Sequence, residues 1–294
     1  MKHFILCALL TSLSLSSWKA EAQSVITRKQ KVENSKPSAK PKTQKAKPAV
    51  SSKPKSHTSS VSSSVNLQSE LNKLANSMVY VSGGTFMMGA NSGDSDAEDD
   101  EKPRHQVHLS SFYICKYEVT QALWKAVMGS NPSYSKGVNL PVENVSWDDC
   151  QQFIKKLNSL TGQNYRLPTE AEWEFAARGG NSSRGYKYSG GDYIANVAWY
   201  DGDSGSKTHS VGTKSSNELG LYDMTGNVWE WCSDRYGSYD SRYQSNPAGP
   251  SCGSYRVCRG GSWLNITGDC RASHRRRYTP GFSGFHLGLR LARS

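Results

Sequence analysis

The 294-residue sequence lacks several features that would classify it at once. It has no run of about 18 apolar residues, so it contains no membrane-spanning helix of the usual length. It has no His-Glu-x-x-His pair and no Cys-x-x-Cys pair, so the common zinc-protease and dithiol redox motifs are absent. Aromatic residues make up 10% of the chain, which excludes a protein that is disordered throughout.

Acidic residues are nearly missing from one segment only. Arg28 to Lys55 contains ten basic residues and one acid, Glu33, and so supplies +9 of the formal net charge of +11. Residues 57–294 carry 24 basic and 23 acidic residues. The basic pI therefore belongs to a tail, and the sequence does not predict a nucleic-acid-binding domain.

The first 22 residues have the pattern of a secretory signal peptide. Lys2 and His3 precede the apolar stretch from Phe4 to Leu15, and Ala20-Glu21-Ala22 is a typical cleavage site. We therefore expect a secreted or periplasmic protein at the cell envelope. Cleavage would leave six cysteines, and an even number in an exported chain permits disulfides in any of 15 full pairings.

Residues 23–64 are rich in Lys, Ser and Pro and are predicted to form a disordered linker. This linker is interpreted either as a solvated spacer or as a segment that adheres to an anionic surface. Val65 to Ser77 places leucines at helical spacing, which predicts a short amphipathic helix that docks on the edge of the domain. The domain itself is expected to occupy residues 65–294.

The domain pattern predicts an α+β fold of two or three helices, many short strands and long loops. Gln106 to Val119 alternates apolar and polar residues, as a strand does. Ser146 and Thr169 are expected N-caps, with Glu172 completing a capping box after Thr169. Asp94 to Glu101 has six acids in eight residues and is expected to be a solvated loop.

Four motifs in this order resemble the formylglycine-generating enzyme, or sulfatase-modifying factor, family. They are RLPTEAEWEFAARGG (166–180), GLYDMTGNVWEWCSD (220–234), RVCRGGSW (256–263) and GLRLA (288–292). The resemblance covers roughly residues 78–293. It implies a single C-type-lectin-like domain, with Arg259 and Arg290 in buried ion pairs and Gly260-Gly261 in a tight turn.

Enzymes of that family oxidise a cysteine of a substrate protein to formylglycine with oxygen and a copper ion held by two cysteines. Thiolates suit Cu(I), and no other ligand pair simply replaces them. Asn265 stands where the first of these cysteines is expected, and Cys270 matches a structural cysteine further along. Whether the chain is an enzyme is therefore open, with no catalytic residue assigned and copper not expected.

The resemblance also implies calcium and a disulfide. Carry-over from the family places calcium at the side chains of Asp223 and Glu230 and the carbonyls of Gly226 and Val228, because Ca²⁺ prefers oxygen ligands in a kinked loop. Asn196 resembles the start of a second calcium loop. Cys232 and Cys270 are the expected disulfide pair.

The segment from Trp263 to Leu287, named the ligand-face segment here, combines aromatic and arginine residues. Such residues supply much of the binding energy at interfaces, although any one of the aromatics is also interpreted as part of the core. The formal charge of residues 256–294 is +7, which favours an anionic ligand whose binding weakens with salt. The candidate ligand-binding residues are Trp263, Asn265, His274, Arg276, Tyr278, Phe282, Phe285 and His286.

The leading hypothesis is a non-catalytic domain that binds a protein or an anionic envelope ligand. One alternative is a formylglycine-generating oxidoreductase that acts on a protein cysteine. Another is a structural subunit of an envelope secretion or gliding machine. Neither nucleic acid nor a transmembrane segment is expected.

Overall fold

The computed structural model describes residues 58–294, with side chains from residue 66 onwards. The expected signal peptide (1–22) and residues 23–57 of the expected linker lie outside the described residues. The first described element is helix α1, Thr58–Asn76. It begins seven residues before the amphipathic pattern, so residues 58–64, which were expected in the linker, are helical here.

Helix α1 packs on the domain through the leucines that its pattern predicted. Leu74 is buried, and Leu67 and Leu71 contact the same hydrophobic cluster. In the part of the chain that the structure describes, no helix is long and apolar enough to cross a membrane.

Three further helices begin at the kind of cap that local sequence predicts. α2 (Gln121–Met128) starts at Thr120, whose side chain accepts a hydrogen bond from the Leu123 N–H. α3 (Trp147–Thr161) starts at Ser146, and α4 (Glu170–Ala177) starts at Thr169, each with a complete capping box. The two predicted N-caps are therefore confirmed. A last short helix, α5, spans Ile194–Val197.

The strands form three small sheets. The expected strand at residues 106–119 is two strands separated by Ser110 and Ser111. The strands are β1 Met78–Val81, β2 Gly84–Met88, β3 His105–Leu109, β4 Phe112–Cys115, β5 Tyr165–Arg166, β6 Trp229–Arg235, β7 Gln244–Ser245, β8 Arg256–Arg259, β9 Arg275–Tyr278, β10 Leu287–Gly288 and β11 Ala292–Arg293. The orders of the strands in the three sheets are β1-β4-β11-β5, β10-β6-β8-β9 and β2-β3-β7.

The second sheet carries the segments with the strongest sequence signatures. β6 holds the Trp-Glu-Trp-Cys-Ser-Asp run, pairs with β8 on one side and lies parallel to β10 on the other. Trp229 and Trp231 of β6 are fully buried in the cluster that also contains the stacked rings of Trp124 and Phe153, whose centroids are 4.7 Å apart. A second cluster surrounds Trp173 of α4. The sheet thereby holds the loops of the ligand-face segment at its edge.

Candidate functional site

The ligand-face segment runs from the turn after β8 to β10 and brings five of its ring side chains together. Tyr278 stacks on Phe282 with ring centroids 4.4 Å apart. Phe285 lies 5.5 Å from His286 and 5.9 Å from Trp263. The segment therefore forms one aromatic cluster, as expected of a binding face, although a cluster of this kind also serves packing.

Burial divides the eight candidate ligand-binding residues into two groups. Trp263, Asn265, His274 and His286 are buried, so their side chains support the face from below. Burial, together with the charge of Arg276, lowers the pKa of His286 to about 3, so its imidazole is neutral at physiological pH. The half-buried group is Arg276, Tyr278, Phe282 and Phe285.

Asn265 is fixed by three side-chain hydrogen bonds. Its Oδ1 accepts from Trp229 Nε1 at 3.0 Å and from the Ser262 hydroxyl at 2.5 Å. Its Nδ2 donates to Asp269 Oδ2 at 2.7 Å. A buried carboxamide with these partners holds the turn after β8 and leaves no acceptor for another group.

The turn that precedes Asn265 has the backbone that its glycines predicted. Gly260 and Gly261 have φ of 102° and 76°, values that L-residues rarely adopt. A Cβ on Gly261 would lie 2.5 Å from the sulfur of Cys270, so the second glycine also makes room for that thiol. The expected tight turn is confirmed.

The structure does not join Cys232 and Cys270. Both are free, fully buried thiols, and they belong to different hydrophobic clusters, around Trp173 and around Tyr188 respectively. Burial raises the pKa of each, so neither is a ready thiolate. The family motif placed each cysteine correctly in the core but did not place the two side by side.

Half of the arginines in residues 256–294 form buried ion pairs. Arg259 and Arg290, which were expected to do so, are among them. Arg290 bonds Glu230, with Nη2 at 2.7 Å from Oε1, and Arg259 bonds Glu174. The other two such pairs are Arg271 with Glu101 at 2.6 Å and Arg275 with Glu170 at 2.6 Å.

These pairs correct the charge argument. The +7 of this segment is not a surface charge, because acids from elsewhere in the chain neutralise its buried arginines. Of the ligand-face residues, Arg277 is exposed and Arg276 is half-buried, and these two can meet an anion.

The acidic loop is also different from the expectation. Glu101 is fully buried, and its two oxygens accept from Arg271. Arg271 also reaches Asp94 Oδ2 at 3.1 Å. Desolvation would raise the pKa of Glu101, but the nearby His274 ring, 3.7 Å from Oε1, and the Arg271 guanidinium outweigh it and hold that pKa well below its usual value. The loop is therefore anchored at both ends to the ligand-face segment rather than solvated throughout.

Four of the expected calcium residues lie in or beside one kinked loop. Asp223 suits a calcium ligand there, whereas Glu230 is already occupied by other partners. Asp223 has a φ of 58°, its Oδ2 accepts from the Gly212 N–H at 2.7 Å, and its buried Oδ1 has no partner. An unpartnered buried carboxylate oxygen suits a hard cation. Both oxygens of Glu230, in contrast, accept from Arg290, and one accepts from Trp173 Nε1 at 2.7 Å.

Glu118 lies outside this loop in the chain but is hydrogen-bonded to it, and the sequence pattern did not indicate this carboxylate. Its oxygens accept from the Val228 N–H at 3.1 Å and from Asn227 Nδ2 at 2.7 Å. Burial, reinforced by the charges of Asp223 and Glu230, raises its pKa well above the usual range. Its position in the chain, 105 residues before Asp223, gave no signal of this contact.

The remaining calcium candidates fit less directly. Gly226, with a φ of 80°, sits at the kink of the loop beside Asn227. Asn196 stands on α5, is exposed, and its carbonyl accepts from the Ser215 N–H, so it is on a different element from the other four residues. Among the residues that the structure describes, no group of three or more His, Cys, Asp or Glu side chains has the arrangement of a metal site.

Comparisons with known proteins agree with this architecture. Residues 64–294 match the model of the sulfatase-modifying factor enzyme 1-like domain. The chain is 33% identical to the chaperone protein LppX of Paenibacillus barcinonensis, in an alignment covering 75% of this chain and 90% of the relative. It is 30% identical to the formylglycine-generating enzyme of Thermomonospora curvata, covering 75% and 94%. Among solved structures, Treponema denticola variable protein 1 matches with a TM-score of 0.67, 34% identity and coverage of 73% and 94%.

Proposed function

The chain belongs to the sulfatase-modifying factor enzyme 1-like family, and from that premise we propose that it is an exported, non-catalytic member that binds a protein or an anionic ligand at the cell envelope. The predicted family resemblance and the predicted α+β, C-type-lectin-like fold class are both confirmed. Export is proposed from the signal-peptide pattern of residues 1–22.

The observation that carries the proposal is the buried, hydrogen-bonded carboxamide of Asn265 where the resemblance expects the first copper-binding cysteine. Cu(I) needs soft thiolates, and an amide whose oxygen and nitrogen are already bonded to Trp229, Ser262 and Asp269 supplies none. The thiol of Cys270 in the same segment is buried and has a raised pKa. These features support a role other than copper-dependent oxidation.

The surface offered for binding is the outer part of the ligand-face segment. Phe282, Phe285 and Arg276 are half-buried. Arg277 is not part of this surface, because its guanidinium lies 4.4 Å from the ring centroid of Tyr236. Tyr134, which is 58% exposed, extends this surface because its ring centroid lies 6.3 Å from that of Phe285. Partly exposed aromatics that rest on a fixed frame suit a binding role, since little side-chain entropy is lost on contact.

Replacement of Phe285 by alanine is expected to weaken binding to cell-envelope fractions by about 2 kcal/mol, or roughly 30-fold in Kd. Removing the ring takes away both its own contact area and the support of Tyr134. The measurement is retention of the purified chain on envelope fractions, compared with Tyr193→Ala, which removes an exposed ring immediately before α5. Equal losses in the two variants would contradict the proposed face.

The enzymatic alternative is favoured by relatives that are named formylglycine-generating enzymes. It predicts that the copper-loaded protein converts a cysteine peptide to an aldehyde, which a hydrazide probe and mass spectrometry detect. The non-catalytic proposal expects no aldehyde above the level of copper alone. Aldehyde formation above that level would establish the enzyme and remove the proposal.

Calcium is proposed as a structural ion at Asp223 with the carbonyls of Gly226 and Val228, while Glu230 remains bonded to Arg290. A bound cation would neutralise the Asp223 carboxylate and fix the kinked loop under the sheet. Ligand binding at the proposed face does not require this calcium ion.

Excess calcium is expected to raise the melting temperature relative to EDTA, since an ion at about 100 times its Kd adds about 2.7 kcal/mol. Asp223→Asn should abolish the shift, because the amide keeps the Gly212 hydrogen bond but not the charge. The effect should shrink as the pH falls through about 6, where Asp223 takes up a proton. Scanning calorimetry measures the calcium-dependent change in melting temperature, and Asp99→Asn is the control that should keep the change. If Asp223→Asn also kept it, calcium would bind elsewhere.

A further inference from the structure

A cavity of about 380 Å³ lies apart from the residues of the proposed binding face. The start of α4, the end of β6 and the loop after β6 enclose it. Its floor is polar, with Glu170, Asp234 and Tyr239, and its walls include Met88 and the segment 247–250. A volume of this size is in the range of small-molecule sites.

The carboxylate of Asp234 lies in this cavity and forms no ion pair with any residue that the structure describes. It is 4% exposed. Its Oδ2 accepts from the Glu170 N–H at 3.0 Å and from the Ser233 hydroxyl at 2.8 Å. A Cβ on Gly249 would lie 3.3 Å from Oδ1, so this second oxygen points at the 247–250 wall of the cavity. Gly249, with a φ of 73°, has no side chain to fill that space.

The arginines around Asp234 have other partners. Arg275 donates to both oxygens of Glu170 at 2.6 and 2.9 Å. Arg235 donates to the carbonyl of Gly253, and Arg256 donates to the carbonyl of Ser233 at 2.7 Å. Asp234 is therefore a desolvated carboxylate without an ion pair, a state that is costly unless a cation arrives from outside.

From this geometry we propose that the cavity binds a small primary alkylammonium compound, with Asp234 Oδ1 as its counter-ion. The apolar walls formed by Met88, Ala171 and Pro250 contact the methylenes of the ligand. Tyr239 also lines the cavity, and its hydroxyl donates to Glu170 Oε1 at 3.2 Å. This bond and those from Arg275 keep Glu170 from competing for the ammonium group.

The charge of Asp234 depends on pH in the range where binding can be measured. Desolvation, reinforced by the charge of Glu170, raises its pKa to about 7. Ammonium binding needs the ionised carboxylate, so affinity should fall about tenfold between pH 8 and pH 6. The other titratable or charged groups that face it are Glu170 and Glu172 on α4, Arg275 on β9, Arg235 and Arg256 on β6 and β8, His105 on β3, and Tyr239 and Asp240 of the loop.

The test is calorimetric titration of the full chain with n-butylammonium chloride at pH 8, with n-butanol as the neutral probe. We expect the butylammonium ion to bind at least tenfold more tightly than butanol. Asp234→Asn should remove this preference, because the amide keeps its hydrogen bond from Glu170 and loses the charge. Ala248→Phe should also abolish binding, since the exposed Ala248 lies on the cavity wall and a ring there fills the cavity.

Asp192→Asn is the matched control, because Asp192 lines a separate cavity beside Tyr186 and Lys187. This variant should bind as the unaltered chain does. Butylammonium affinity that is the same in the unaltered chain and in Ala248→Phe would place binding elsewhere and overturn the proposal. So would the absence of binding to the unaltered chain. If Asp234→Asn does not fold, Ala248→Phe and the pH dependence decide the question.

Discussion

Replacement of Arg290 by methionine is expected to destabilise the domain by about 3–5 kcal/mol. Arg290 is fully buried and binds Glu230 through Nε and Nη2, while Nη1 donates to the Cys115 carbonyl at 2.9 Å and Nη2 to the Tyr222 carbonyl at 2.7 Å. Methionine fills most of the space but leaves the Glu230 carboxylate buried without a cation.

The loss is large because Glu230 is not the only acid in this region. Glu118 and Asp223 already carry raised pKa values, and each is influenced by the charge of Glu230. Without the guanidinium, the nearby carboxylates can avoid repulsion only by taking up protons, and this costs free energy at neutral pH.

Urea unfolding at pH 7 measures the effect, with Arg293→Met as the control on the next strand. Arg293 is half-buried and its Nη1 donates to the exposed Gln163 side chain, so we expect a change below about 1 kcal/mol there. The double variant Arg290→Met, Glu230→Gln should recover part of the loss. If the single variant were as stable as the control, the ion pair would not hold the core of this fold.

Replacement of Glu143 by glutamine is expected to flatten the pH dependence of stability between pH 5 and 8. Glu143 is fully buried, and one of its oxygens accepts from the Ser135 N–H at 2.8 Å. Its other oxygen has no partner. Desolvation raises its pKa from 4.5 to about 7, although the N–H groups of Ser135 and Tyr134 oppose this.

The sign of this pH dependence follows from the raised pKa of Glu143. The folded state holds the Glu143 proton more tightly than the unfolded chain, so the stabilisation is complete below about pH 4.5 and is lost as the pH rises through 7. Between pH 5 and pH 8 the loss is about 2–3 kcal/mol, because the slope reaches 1.36 kcal/mol for each pH unit only between the two pKa values. Glutamine imitates the protonated acid and does not titrate.

The measurement is the free energy of unfolding in urea at several pH values for the unaltered chain and Glu143→Gln. Asp223 and Asp234, with pKa values of about 6 and 7, add a slope of the same sign to both proteins, so the difference isolates Glu143. Asp201→Asn, at an exposed position, should keep the full slope. Parallel curves for the unaltered chain and Glu143→Gln would contradict the assignment.

The features predicted correctly depend on short stretches of sequence. The caps at Ser146 and Thr169 form within four residues, and the turn at Gly260-Gly261 needs only two glycines. The apolar face of α1 was found from helical spacing, but its start at Thr58 was not, because the Ser-rich residues before Val65 carry no apolar pattern.

The features that were missed depend on partners far apart in the chain. Glu101 was expected in a solvated loop, yet it meets Arg271, 170 residues away. Glu118 was not singled out, although it bonds Val228 from 110 residues away. Cys232 and Cys270 were expected to pair, but the fold places them in separate clusters.

The sequence by itself determined the family and the starts of α3 and α4. Only the tertiary structure decided which charges reach solvent. A basic segment of formal charge +7 became a face with few accessible arginines, and Asp234 became a carboxylate without a cation. The physical reason is that burying a charge is tolerated only beside a suitable partner. That partner is brought by the fold and has no fixed spacing in the chain.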